Sequence, residues 1–193
     1  DGPLGDQVFR GLPFVLGEDS GRCLIACGGG LGDGSVDIAL GRLVTWLVVA
    51  HRLIESVLSE NGPLGVEVAE YSFEYEDGEG ETAIVRDRFE IATVPSAYGG
   101  APFVAVADTN DQVMARDEGR WESAGRRQTE VDAGRMAHFV LWAWRNPHPH
   151  KTLEKIVIKA RGPAFAVGAI TASDLDEEPI CREGTREVVI TLP

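Results

Sequence analysis

Period-two alternation runs through most of this chain, and it restricts the fold to strands that turn one face inward. In Tyr71-Ser72-Phe73-Glu74-Tyr75-Glu76 the rings fall on one side and the polar groups on the other, as a half-buried antiparallel strand requires. Asp77-Gly78-Glu79-Gly80 then reads as a hairpin turn. Its partner strand is expected over Thr82 to Ile91, with Ala83, Val85, Phe89 and Ile91 on one face and Thr82, Ile84, Arg86, Arg88 and Glu90 on the other.

Val44 to Leu53 is apolar on both faces, which suits a central strand covered on two sides. A helix over Leu40 to Ser59 competes, but the β-branched Val44, Thr45, Val48 and Val49 favour the strand. Glu55 to Leu58 fits either a helical turn or a loop before Asn61-Gly62-Pro63. From Met136 to Asp174 two strand-like runs are joined by a short loop that starts at Asn146-Pro147-His148-Pro149-His150-Lys151. Within it, Leu153, Lys155, Val157 and Lys159 are expected on one face, opposite Glu154, Ile156 and Ile158. Arg161-Gly162-Pro163 turns the chain, Phe165 to Thr171 makes another apolar strand, and Glu187 to Leu192 a last one. Between Val94 and Arg135 the pattern lapses into Gly, Pro, Asp and Arg, and a stretch that long carries function or a further short strand. With no convincing helices to alternate with these strands, the expected fold is all-β. It is an antiparallel β-sandwich or jelly roll, one domain over 1–193 with a loop-rich insertion at 94–135.

A chain of 193 residues can bury a substantial core without disulfide or metal staples. The net charge of -13 makes nucleic acid and anionic membrane poor partners and favours neutral molecules, cations or another protein. Cys23, Cys27 and Cys181 are odd in number and have neither redox nor zinc spacing, so idle thiols are expected. The longest apolar run, Leu43 to Ala50, is far short of the roughly 20 residues that span a bilayer, and no leader pattern opens the chain. The expectation is a soluble chain, either processed or a domain cut from a longer polypeptide.

Phe9-Arg10-Gly11-Leu12-Pro13-Phe14, the strand ending at Ala50-His51, the Tyr71 to Gly78 hairpin, and Trp144-Arg145-Asn146-Pro147 leading into Lys155-Ile156 resemble the galactose-binding-like jelly rolls. These include carbohydrate-binding and discoidin-type modules that often accompany bacterial glycoside hydrolases. The resemblance implies a non-catalytic accessory domain that binds carbohydrate, or one that packs structurally against a catalytic domain of the same polypeptide. The sequence departs from the family near the second proline, where His150 stands in the region of an expected acid.

Sugars are held by aromatic rings under their C–H faces and by polar side chains on their hydroxyls. Trp121, in the polar Asp117 to Glu122 stretch, is a candidate platform, against the alternative that it packs over the end of the sandwich. Trp142 and Trp144 share a face with His138 and Val140; they line an outer surface if Phe139, Leu141 and Ala143 meet the core, or sit in a strand buried on both faces. Trp46 is expected in the core. Arg86 and Arg88 carry donor forks for hydroxyls or a carboxylate, against cross-strand pairing with Glu70, Glu74 or Glu76. The candidate ligand-binding residues are therefore Trp121, Arg86, Arg88, Trp142, Trp144 and His138.

Calcium often pins loops in such folds, and Asp33, Asp37, Asp108, Asp111, Asp174, Asp176, Glu177 and Glu178 are its candidate ligands, without EF-hand spacing. His148 and His150 form a His-x-His pair, with only His51 and His138 left to complete a zinc site. Gly28-Gly29-Gly30-Leu31-Gly32 lacks the lysine of a phosphate loop. No GxSxG or HExxH is present, which leaves a carboxylate pair within Val94 to Arg135 as the one enzymatic alternative.

Overall fold

A computed structural model describes residues 4–17, 23–32, 34–95, 103–105 and 138–180. All the regular elements among them are strands, apart from two short 3-10 turns. The strands are β1 (Gly5–Phe9), β2 (Leu12–Leu16), β3 (Ile25–Cys27), β4 (Ser35–Leu43), β5 (Trp46–Leu53), β6 (Glu67–Tyr75), β7 (Gly80–Arg86), β8 (Phe103–Ala105), β9 (Phe139–Arg145), β10 (Thr152–Ala160) and β11 (Phe165–Ser173). They form an antiparallel four-stranded sheet, β4-β10-β6-β7, an antiparallel five-stranded sheet, β3-β11-β5-β9-β8, and the hairpin β1-β2.

The two sheets share one apolar core, a sandwich-like arrangement. Leu47, Val49 and Leu53 of β5 and Val140 of β9 meet Tyr71, Phe73 and Tyr75 of β6 and Leu153, Ile156 and Ile158 of β10. A second cluster lies on the other face of the five-stranded sheet, where Phe9, Phe14 and Leu16 of the hairpin cover Val48, Ala50, Phe139 and Leu141. Covered on both sides, β5 is the central strand that its unbroken apolar run implies.

Three departures from simple alternation have local causes. In β10 the register slips between Leu153 and Lys155, so a bulge at Glu154 turns Leu153 inward with Ile156, Ile158 and Ala160 instead of outward with Lys155. In β11 the same device falls at Gly168, where a Cβ would lie 2.5 Å from the Phe139 ring. The expected Thr82 to Ile91 strand ends instead at Arg86. There Asp87 is buried and accepts from Ser56 Oγ at 2.5 Å, Arg88 takes φ 70, and the chain turns so that Phe89 is 51% exposed while Ile91 reaches the core. Glu55 to Leu58 resolves into a 3-10 turn over Val57–Glu60, capped by Ser56 Oγ. No described helix is long and apolar enough to cross a membrane.

Candidate functional site

One end of the sandwich gathers the start of β5, the ends of β9 and β11, and the β6–β7 turn. Its organiser is Asn146, 2% exposed, the first residue after β9. Its Nδ2 donates to the Val44 carbonyl at 2.7 Å and to the His148 carbonyl at 3.3 Å. Its Oδ1 accepts from the Tyr75 hydroxyl at 2.6 Å and from the His148 N–H at 2.9 Å, and its own N–H reaches the Thr45 carbonyl at 2.9 Å. Every donor and acceptor of the amide is thus engaged, and strands of both sheets are tied to one turn. Pro147 and Pro149 restrict the backbone on either side.

Around this turn lies an open cleft of about 510 Å³, lined by Thr45, Arg145, Asn146, Pro147, Pro149 and Asp176. Arg145 donates to Asp176 Oδ1 at 3.0 Å, and its guanidinium carbon lies 5.8 Å from the centre of the Trp46 ring. Thr45 Oγ1 donates to the Asp174 carbonyl at 3.0 Å, fixing the segment that carries Asp176. Trp46 is buried, as expected, but it faces away from the inter-sheet core: its register partner is Arg145, and it shares the side of Val48 and Ala50. Its Nε1–H finds no acceptor among the described residues.

Beneath the loop, His148 Nε2 lies 3.3 Å from Glu81 and its ring meets Tyr75 and His150 edge-on. Lys151 pairs with Asp77 at 2.7 Å and Glu79 at 2.5 Å, and those contacts hold its ammonium above the usual lysine range. Asp77 is correspondingly lowered by the Lys151 hydrogen bond. Burial first, then the Glu81 carboxylate, pushes the Tyr75 hydroxyl up to about 12, so it stays a donor to Asn146.

The residues singled out from the sequence do not converge. Trp142 and Trp144 turn between the sheets, half-buried, because Phe139, Leu141 and Ala143 on the opposite face of β9 are covered by the β1–β2 hairpin. Trp144 stacks on Phe73 at 3.6 Å, and Trp142 lies against His51 and Tyr71. Arg86 is at the opposite end and grips Glu90 through two guanidinium nitrogens, at 2.7 and 3.1 Å, rather than Glu70, Glu74 or Glu76. It also lies over the Phe89 ring at 4.7 Å. Arg88 sits in the same turn, its N–H on the Ile91 carbonyl. His138 precedes β9 at that end too, its pKa lowered by burial and by Arg52. Trp121 lies outside the described residues, as do Cys181, the Glu187 to Leu192 stretch and nearly all of Val94 to Arg135.

Asp33, Asp108 and Asp111 likewise lie outside them. Asp37 pairs with Lys155, which also holds Glu74, on the outer face of the four-stranded sheet. Among the described residues no three His, Cys, Asp or Glu side chains are placed to hold a metal ion. Cys27 is buried, which raises its pKa, and Cys23 is half-buried.

The sequence places a loop at Asn146 between two strands, but nothing local in it marks the cleft beside that loop. Arg145, a strand-end cation, and Thr45, one hydroxyl in an apolar run, are not among the candidate ligand-binding residues; Asp176 is among the calcium candidates. Comparison with protein-family models, with curated proteins and with solved structures finds no match.

Proposed function

We propose that this chain is a galactose-binding-like jelly-roll domain, a non-catalytic accessory module of a larger glycoside-active protein, and that it binds a saccharide in the cleft beside the Asn146 turn. Support for the fold comes from the strand order. Taking β3, β4, β5, β6, β7, β9, β10 and β11 as eight successive strands, the sheets read 1-8-3-6 and 2-7-4-5, the interleaved Greek keys of a jelly roll, with β8 added at one edge.

The observation that carries the ligand is the composition of the cleft. Arg145 and Asp176 place donors and an acceptor side by side, and Pro147 and Pro149 offer apolar surface next to them. Sugar hydroxyls donate and accept at once, and the C–H faces between them are apolar, so both kinds of surface are matched. The acidic chain, at -13, also favours an uncharged ligand over a polyanion.

The test is a glycan array probed with the purified chain, with and without calcium, and with Arg145→Ala and Trp121→Ala alongside. Loss of binding in Arg145→Ala supports the cleft; loss only in Trp121→Ala moves the site to that residue. A structural module without its own ligand is the second reading, favoured by Trp46, Trp142 and Trp144 all being packed against protein. Silence across the array with a folded protein would favour it.

A further inference from the structure

We infer, resting on the saccharide reading of the cleft, that Asp176 is a specificity-determining residue. It occupies the guanidinium that a sugar carboxylate would take, and so selects neutral saccharides over uronic acids. Among the described residues lining the cleft, Arg145 is the one cation. A free guanidinium at such a place is a bidentate carboxylate receptor. Here it is not free, since one terminal nitrogen is on Asp176 Oδ1 at 3.0 Å and the Trp46 ring lies 5.8 Å from its carbon.

A uronate would have to displace Asp176, and the displaced carboxylate would stay beside it on an exposed segment that Thr45 holds in place. That segment also carries Asp174, Glu177 and Glu178, all exposed, so the local field repels a second anion. Vicinal hydroxyls meet no such obstacle. One accepts from a remaining Arg145 N–H and its neighbour donates to a remaining Asp176 oxygen, with the ion pair left in place.

The Asp176 side chain is 76% exposed, so Asp176→Asn should leave the fold intact while keeping the side-chain shape. The experiment titrates wild type and Asp176→Asn calorimetrically with galactan and xylan oligosaccharides and with oligogalacturonate and oligoalginate, with Arg145→Ala as the control. The expected result is that wild type binds a neutral oligosaccharide and binds the uronates about two- to fivefold more weakly, the scale of an ion pair between exposed side chains. Asp176→Asn should narrow or reverse that ratio. Uronates bound as tightly as neutral chains by wild type, or a ratio unchanged in Asp176→Asn, would overturn the role given to Asp176 and leave the cleft standing. No saccharide bound by wild type, or neutral binding indifferent to Arg145→Ala, would overturn the cleft itself.

Discussion

Replacing Asn146 with alanine tests whether this one amide organises the end of the sandwich. The substitution leaves the Val44 carbonyl and the Tyr75 hydroxyl, both in residues at most 1% exposed, without their partners at 2.7 and 2.6 Å. It also frees the His148 N–H. Each buried group left unpaired costs about 1–3 kcal/mol, so the two together should remove roughly 2–6 kcal/mol. In a chain of this size that corresponds to a fall in Tm of roughly 10 °C. Tyr75→Phe is the graded control: it deletes one hydroxyl but leaves Oδ1 with the His148 N–H, and should cost only about 1 kcal/mol. Urea unfolding followed by tryptophan fluorescence reads both, because Trp46 and Trp144 lie near this end. An Asn146→Ala variant within about 1 kcal/mol of wild type, at an unchanged m-value, would refute the reasoning.

Further outcomes follow from other elements. His51 is fully buried, with Nε2 on the Glu90 carbonyl at 2.8 Å and Nδ1 on the Tyr71 hydroxyl at 3.0 Å; since a carbonyl only accepts, Nε2 carries the proton and Tyr71 donates to Nδ1. Burial lowers its pKa to about 4 despite the Glu90 contacts, so between pH 6.5 and about 4 the unfolded chain binds the extra proton. Stability should drop by roughly 3 kcal/mol as pH falls through that window, and His51→Gln should remove this component in paired denaturation curves. Gly168→Ala drives a Cβ into Phe139 and Leu16 under the hairpin and should cost about 1–3 kcal/mol by thermal unfolding. Trp144→Ala, which unstacks Phe73, should cost about 3–5 kcal/mol in the same assay and leave glycan specificity unchanged.

Much of the framework was legible because alternation and burial agree there. The β6 face of Tyr71, Phe73 and Tyr75 and the doubly apolar β5 could be read directly, since each side chain's environment follows from its position along one strand. The bulge at Glu154 could not: one inserted residue reverses the faces before and after it, and nothing in Leu-Glu-Lys announces the slip. The alternation continues past Arg86 and places Phe89 on the face of Val85 and Ile91, whereas the buried Asp87 and its bond to Ser56 turn the chain there. Trp142 and Trp144 depended on which face of β9 is covered. That was settled by Phe9 and Phe14, more than 120 residues earlier, a pairing beyond any local pattern. The cleft has the same origin. Thr45, Arg145 and Asp176 become neighbours only when β5, β9 and β11 lie side by side.

The most direct test of the saccharide cleft is a two-dimensional ¹H–¹⁵N titration with the best oligosaccharide from the array. Binding in the cleft should give saturable shifts at the amides of Thr45, Arg145, Asn146 and Asp176 and at the Trp46 indole N–H. The Arg86 to Glu90 turn at the opposite end should stay still. Shifts confined to other residues, or none at concentrations where the array shows binding, would contradict it.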